Sequence, residues 1–213
     1  MAFNNYGNSF QRATPIVLNL IIINVLVYFA QLFLDSSISL TAKMALFSYD
    51  TGFFEPYQLI TNMFAHQTVD RAGNLVLFHL IFNMLVLWML GPTLERVWGP
   101  KRFLIFYLVC GVAAGLAQMF LVKNAISIGA SGALMGLLAA FAYLFPNAEF
   151  TLFPFPIAIK AKYYVMIIAA IDLFGGLHPG ELDDIGHYAH LGGLVMGFIL
   201  VIVWNKTNRK TFY

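Results

Sequence analysis

Residues 15–34 read PIVLNLIIINVLVYFAQLFL, twenty positions without a single charge. A helix that crosses a bilayer needs about 20 apolar residues, with a range of roughly 17–25. Five more apolar stretches follow, at 75–90, 103–122, 129–145, 163–177 and 188–204. The expected fold class is therefore an all-α polytopic membrane protein. A six-transmembrane-helix bundle would form one membrane domain over residues 1–213.

Composition agrees. Of 213 residues, 60% are hydrophobic and 10% charged, against about 45–50% and 25% in soluble domains. So few charges cannot wet the surface of a globule this large, and disorder needs the opposite balance. A dispersed net charge of +2 offers no footprint for nucleic acid. One cysteine, Cys110, excludes an internal disulfide and a cysteine metal cluster. The histidines lack tight ligand spacing, so neither metal nor cofactor is expected. No cleavage-site pattern follows the first apolar stretch, which reads as a retained anchor. The connection 35–74 carries Phe47, Phe53, Phe54 and Tyr57, and is expected to lie partly in the membrane interface.

Six spans place both termini on one side. That side would hold Arg12, Arg96, Lys101, Arg102, Lys160, Lys162, Lys206, Arg209 and Lys210, nine of the 12 basic residues. Lys43, Arg71 and Lys123 fall opposite. The positive-inside rule then expects cytoplasmic termini. Asp35, Asp50, Glu55, Asp70, Glu181, Asp183 and Asp184 fall outside, and Glu95 and Glu149 inside.

Polar side chains within hydrocarbon are costly and face a protein interior or water. His79 and Asn83 begin the second span, Ser131 the fourth and His190 the sixth. All four are expected about 5–15 Å below the outer face, on helices running the same way. Ser131 stands in Gly129-Ala130-Ser131-Gly132. The glycines allow unusual turns and close backbone approach. A helix N-terminus there aims N–H groups at a developing oxyanion. Gly132, Gly136 and Ala140 recur every four residues, as do Ala189, Gly193 and Gly197. Such small-residue faces permit a close crossing, which would let His190 take the Ser131 proton. His79 and Asn83, four apart, share a face and would add oxyanion donors. Each residue also has an ordinary role: serine as packing contact, histidine as structural bond or proton path. Their shared depth and side favour the chemical one.

These motifs resemble those of the rhomboid family of intramembrane serine proteases, of the six-helix bacterial type. Gly129-Ala130-Ser131-Gly132 resembles its nucleophile motif and His79-Leu80-Ile81-Phe82-Asn83 its second-helix motif. Ala189-His190-Leu191-Gly192-Gly193 resembles its sixth-helix motif, and Gly91 through Glu95 to Gly99, then Arg102-Phe103, its loop and third-helix start. The resemblance implies a Ser131–His190 dyad without a catalytic carboxylate, and an oxyanion site near His79, Asn83 and the Ser131 backbone. It also implies substrates that are transmembrane helices, cut near their outer end, and a bacterial inner membrane. Thr61, Phe64 and His66 fit the first loop, but Tyr57-Gln58 stands where the family often has Trp-Arg. Met135 replaces an aromatic four residues after Ser131.

Two other functions are open to the sequence: a non-catalytic binder of client helices, and a proton-coupled transporter built on His79, His190 and Asp172. Asp172 lies about 15 Å from the Lys162 end of its helix, and is expected to be hydrogen-bonded, protonated or beside water, or a third triad member. His187, on a face similar to that of His190, reads as interfacial or as touching the site, His66 as a brace of the outer loop and His178 as solvated beside Glu181, Asp183 and Asp184. Glu95 and Arg96 read as inner-loop contacts, and Cys110 as packing.

Overall fold

The computed structural model describes residues 14–70, 72–152, 157–180 and 185–207. Arg12, Arg71, Glu181, Asp183, Asp184, Arg209 and Lys210, used above for orientation, lie outside the described residues. Along the chain run α1 (Pro15–Ile38), α2 (Leu40–Met44), α3 (Gln58–Thr61), α4 (Phe78–Trp98), α5 (Pro100–Leu121), α6 (Ser131–Leu144), α7 (Ala161–Leu177) and α8 (His187–Thr207). Among the described residues four helices are long and apolar enough to cross a membrane: α1, α4, α5 and residues His187–Lys206 of α8. α6 has 14 residues and spans only about 21 Å at 1.5 Å per residue.

Helices lie at all six expected stretches with shifted ends, and four of them have the length and apolarity of a span. The largest shift is α4, which runs eight residues past position 90 to Trp98. Gly91-Pro92 reads as a stop, because proline lacks an N–H and clashes with the preceding turn. In a membrane bundle neighbouring helices hold such a turn, and here Gly91 is packed on Val17 of α1. The helix ends instead at Gly99, whose φ of +80° favours glycine and whose N–H donates to the Glu95 carbonyl at 2.8 Å. Pro100 then opens α5.

Two small antiparallel sheets depart from an all-α architecture. β1 (Leu46–Phe47) pairs with β2 (Ile126–Ser127), and β3 (Glu149–Leu152) with β4 (Ile157–Lys160). Both join connections outside the helix bundle. Strands of two to four residues carry too few alternations to be read from a sequence.

The core packs α8 on α6 and α5, with α4 and α1 alongside. Phe103, Phe106, Tyr107, Leu87, Leu94 and Leu137 are fully enclosed. At the end holding the α1 N-terminus, Trp98 lies 4.6 Å from Phe106 and 5.7 Å from Trp204, centroid to centroid. There the buried Glu95 carboxylate accepts the Ile16 and Val17 N–H groups at 3.1 and 2.9 Å. An anion thus caps α1 where its free N–H groups and dipole are positive. The α6–α8 seam rests on glycine. A Cβ on Gly193 would strike the Gly132 carbonyl oxygen, and one on Gly197 the Gly136 carbonyl oxygen.

The connection from α1 to α4 is folded against the bundle. Gln58, where the family often has arginine, is buried and makes three bonds: from the Phe47 and Glu55 N–H groups at 3.4 and 3.1 Å, and to the Phe53 carbonyl at 3.1 Å. His66 is enclosed, with Nε2 2.8 Å from Asn24 Oδ1 and its N–H donating to Gln31 Oε1 at 3.0 Å. Burial first, then neighbouring His79, push the His66 imidazole down to about 3. An unfolded histidine titrates near 6.5, so the unfolded chain binds more protons between those values. Stability is complete above about pH 6.5 and falls as pH drops toward 3. The unfolding midpoint in detergent is expected to fall between pH 7.5 and 5, less steeply in His66→Gln. Equal slopes would show that His66 does not carry the effect.

Candidate active site

The site begins where the chain turns into α6. Gly129 has φ +121°, a conformation closed to ordinary side chains, and its N–H donates to the Asn62 carbonyl at 2.8 Å. The Leu134 N–H makes the first bond of the α6 ladder, to the Ala130 carbonyl at 3.1 Å. The Ser131, Gly132 and Ala133 N–H groups thus precede that ladder, as at any helix start.

Across the glycine seam, His190 lies in the first turn of α8. Its Nε2 is 2.9 Å from Ser131 Oγ. Its Nδ1 is 3.0 Å from Asp172 Oδ1, on α7. The same oxygen is 2.8 Å from His187 Nδ1. Asp172 Oδ2 is buried without a hydrogen-bond partner. The start of α8 is held by Gln118 of α5, whose Oε1 accepts the Ala189 N–H at 3.1 Å.

His79 opens α4. Its Nδ1 accepts the Gln67 N–H at 3.2 Å, which leaves the ring proton on Nε2. That nitrogen lies against Gly129, 2.9 Å from where a Cβ would stand. Its ring meets His66 edge-on at 5.2 Å. Asn83 is placed differently. It is buried, its Nδ2 donates back to the His79 carbonyl at 2.7 Å, and its Oδ1 has no partner. It does not line the cavity, whereas His79, Gly129, Ser131 and Gly132 do.

That cavity measures about 670 Å³ and reaches from Ser131 to Asp70 and Asn124 in the outer connections. Asn124 is exposed, so water has a route to the serine. Among the described residues no group of three or more His, Cys, Asp or Glu could hold a metal ion. Sequence reasoning placed Ser131, His190 and His79 together but missed Gln118, and left the Asp172 partner open. The signal for that partner was present: an intramembrane carboxylate needs a mate, and His187 and His190 stand three apart on one helix face.

A hydroxyl bonded to an imidazole, beside N–H groups at a helix start, is equipped for nucleophilic attack on a carbonyl. The Rhomboid domain family model matches residues 54–206, which include every one of these side chains. The chain belongs to the rhomboid family. Rhomboid relatives include the mitochondrial rhomboid protein 1 of Saccharomyces cerevisiae, 34% identical over 158 residues, covering 69% of this chain and 45% of the relative. Rhomboid protease GluP of Bacillus subtilis is 38% identical over 121 residues, covering 56% of this chain and 22% of the relative. Rhomboid protease AarA of Providencia stuartii is 27% identical over 220 residues, covering 93% and 75%. The chain spans less than half the length of the first two. With its rhomboid domain and its long apolar helices, it is an integral membrane protein.

Proposed function

We propose that this chain is an intramembrane serine endopeptidase that cleaves transmembrane helices near their outer end. The observation that carries the proposal is the 2.9 Å approach of Ser131 Oγ to His190 Nε2 at the start of α6. His190 Nε2 takes the Ser131 proton as Oγ bonds to the scissile carbonyl carbon. The carbonyl oxygen becomes an oxyanion, held by N–H groups at the start of α6 and by His79 Nε2. The C–N bond then breaks, and His190 returns the proton to the leaving amine. Water from the cavity attacks the acyl-enzyme, giving its proton to His190, and the Ser131 C–O bond breaks as Oγ regains a proton. Asn83 adds an oxyanion donor only by turning its amide away from the His79 carbonyl. A substrate helix hides its carbonyls in its own hydrogen bonds and must unwind first, so helix-weakening residues near the cut favour cleavage.

The reading includes six membrane crossings, with α6 and α7 as short ones, and both termini in the cytoplasm of a bacterial inner membrane. The bias of basic residues supports that orientation. The partners are single-span or other transmembrane substrates in the bilayer, with no cofactor.

The test is covalent labelling of the full chain in liposomes with a fluorophosphonate probe. The label is expected on Ser131 and is expected to vanish in His190→Ala. A label on another residue, or one that survives His190→Ala, would overturn the dyad.

A further inference from the structure

We propose that Asp172 is a positioning residue for His190, so that His190 is the middle member of a three-residue chain running from Ser131 to Asp172. The proposal rests on the reading of Ser131 and His190 as nucleophile and base. Its ground is the 3.0 Å separation of Asp172 Oδ1 from His190 Nδ1, on the ring edge opposite Ser131.

A neutral imidazole carries its proton on one nitrogen, chosen by what the other meets. A carboxylate at Nδ1 accepts the proton there and leaves the Nε2 lone pair for the Ser131 hydroxyl. Without that acceptor the ring also populates the tautomer with Nε2–H, which cannot take the serine proton. The carboxylate in addition fixes the ring plane and stabilises the imidazolium formed during attack.

Burial of Asp172 is otherwise hard to account for. It is 4% exposed and sits in a helix within the membrane domain, where an acid is costly. A structural tie between α7 and α8 would need one histidine. Asp172 Oδ1 instead takes two, His187 Nδ1 at 2.8 Å and His190 Nδ1 at 3.0 Å, while Oδ2 has no partner. Bonding by the carboxylate is thus directed to the two imidazoles. His187 lines the same cavity as Ser131, and among the described residues His79 and Asp70 also reach it.

The experiment compares the parent with Asp172→Asn and Asp172→Glu, as full chains in liposomes on a single-span substrate. In Asp172→Asn, kcat is expected to fall about 10²–10⁴-fold, with KM changed less than threefold. Asp172→Glu is expected to recover part of kcat. The second readout is proton NMR of nitrogen-labelled chain in micelles. The parent is expected to show a strongly deshielded His190 Nδ1 proton that disappears in both His190→Ala and Asp172→Asn. A kcat within threefold of the parent for folded Asp172→Asn would overturn the proposal, as would absence of that proton in the parent. If the parent shows no Ser131-dependent cleavage, the protease reading fails. The NMR signal then decides alone whether Asp172 holds the His190 ring.

Discussion

Ser131→Ala is expected to slow cleavage of a single-span substrate by on the order of 10⁴-fold or more, and His190→Ala by a similar factor. In the proposed mechanism both act in one proton transfer across 2.9 Å, so their losses do not add. The double variant is expected to be no slower than the worse single variant. KM for Ser131→Ala is expected to stay close to that of the parent, because only one hydroxyl is removed from the cavity wall. The check is product formation in proteoliposomes, read by mass spectrometry so that the cut is mapped. Full cleavage by either single variant would remove the dyad. Undiminished cellular function of Ser131→Ala would favour a binder of client helices. Ion or solute flux lost in Asp172→Asn but kept in Ser131→Ala would favour a transporter.

Gly193→Ala should be damaging without touching a reacting atom. Its new Cβ would run into the Gly132 carbonyl oxygen, which is backbone and cannot swing aside. α6 and α8 must then separate, and Ser131 and His190 separate with them. Overpacking of this kind costs about 1–3 kcal/mol, and a displacement of roughly 1 Å at the reacting groups can cost about 10² in rate. A lower unfolding midpoint and a kcat reduced about a hundredfold are expected together. Gly180→Ala is the matched control, since nothing lies within 4 Å of its added Cβ. Parent-like midpoint and kcat in Gly193→Ala would mean that the seam has slack and does not set the Ser131–His190 distance.

The parts of this molecule legible in the sequence are those governed by one-dimensional rules. Apolar length exposed α1, α5 and α8, and the glycine spacing exposed the seam that brings Ser131 to His190. Rules that depend on neighbours were less visible. α4 continues through Pro92 because α1 packs against Gly91, which a local reading cannot see. Asn83 has the right depth for the cavity, but its amide turns back to the carbonyl four residues earlier. Which residues share a helix face was legible, whereas the direction in which each side chain turns was not. Asp172 shows the same limit. Its depth marked it as unusual, but the face it presents to His187 and His190 depends on how α7 leans against α8. The short strands pair residues as distant as Leu46 and Ser127, with no pattern long enough to announce them.

The Glu95 cap has a consequence for how the chain is made. The carboxylate that satisfies the Ile16 and Val17 N–H groups lies 79 and 78 positions downstream. At a synthesis rate of about 5–20 residues per second, α1 waits roughly 4–16 s for its cap to leave the ribosome. During that interval its first turn must stay at the water boundary, where solvent can serve the same N–H groups. The first helix is thus threaded early and latched late, and the hairpin of α4 and α5 closes the latch.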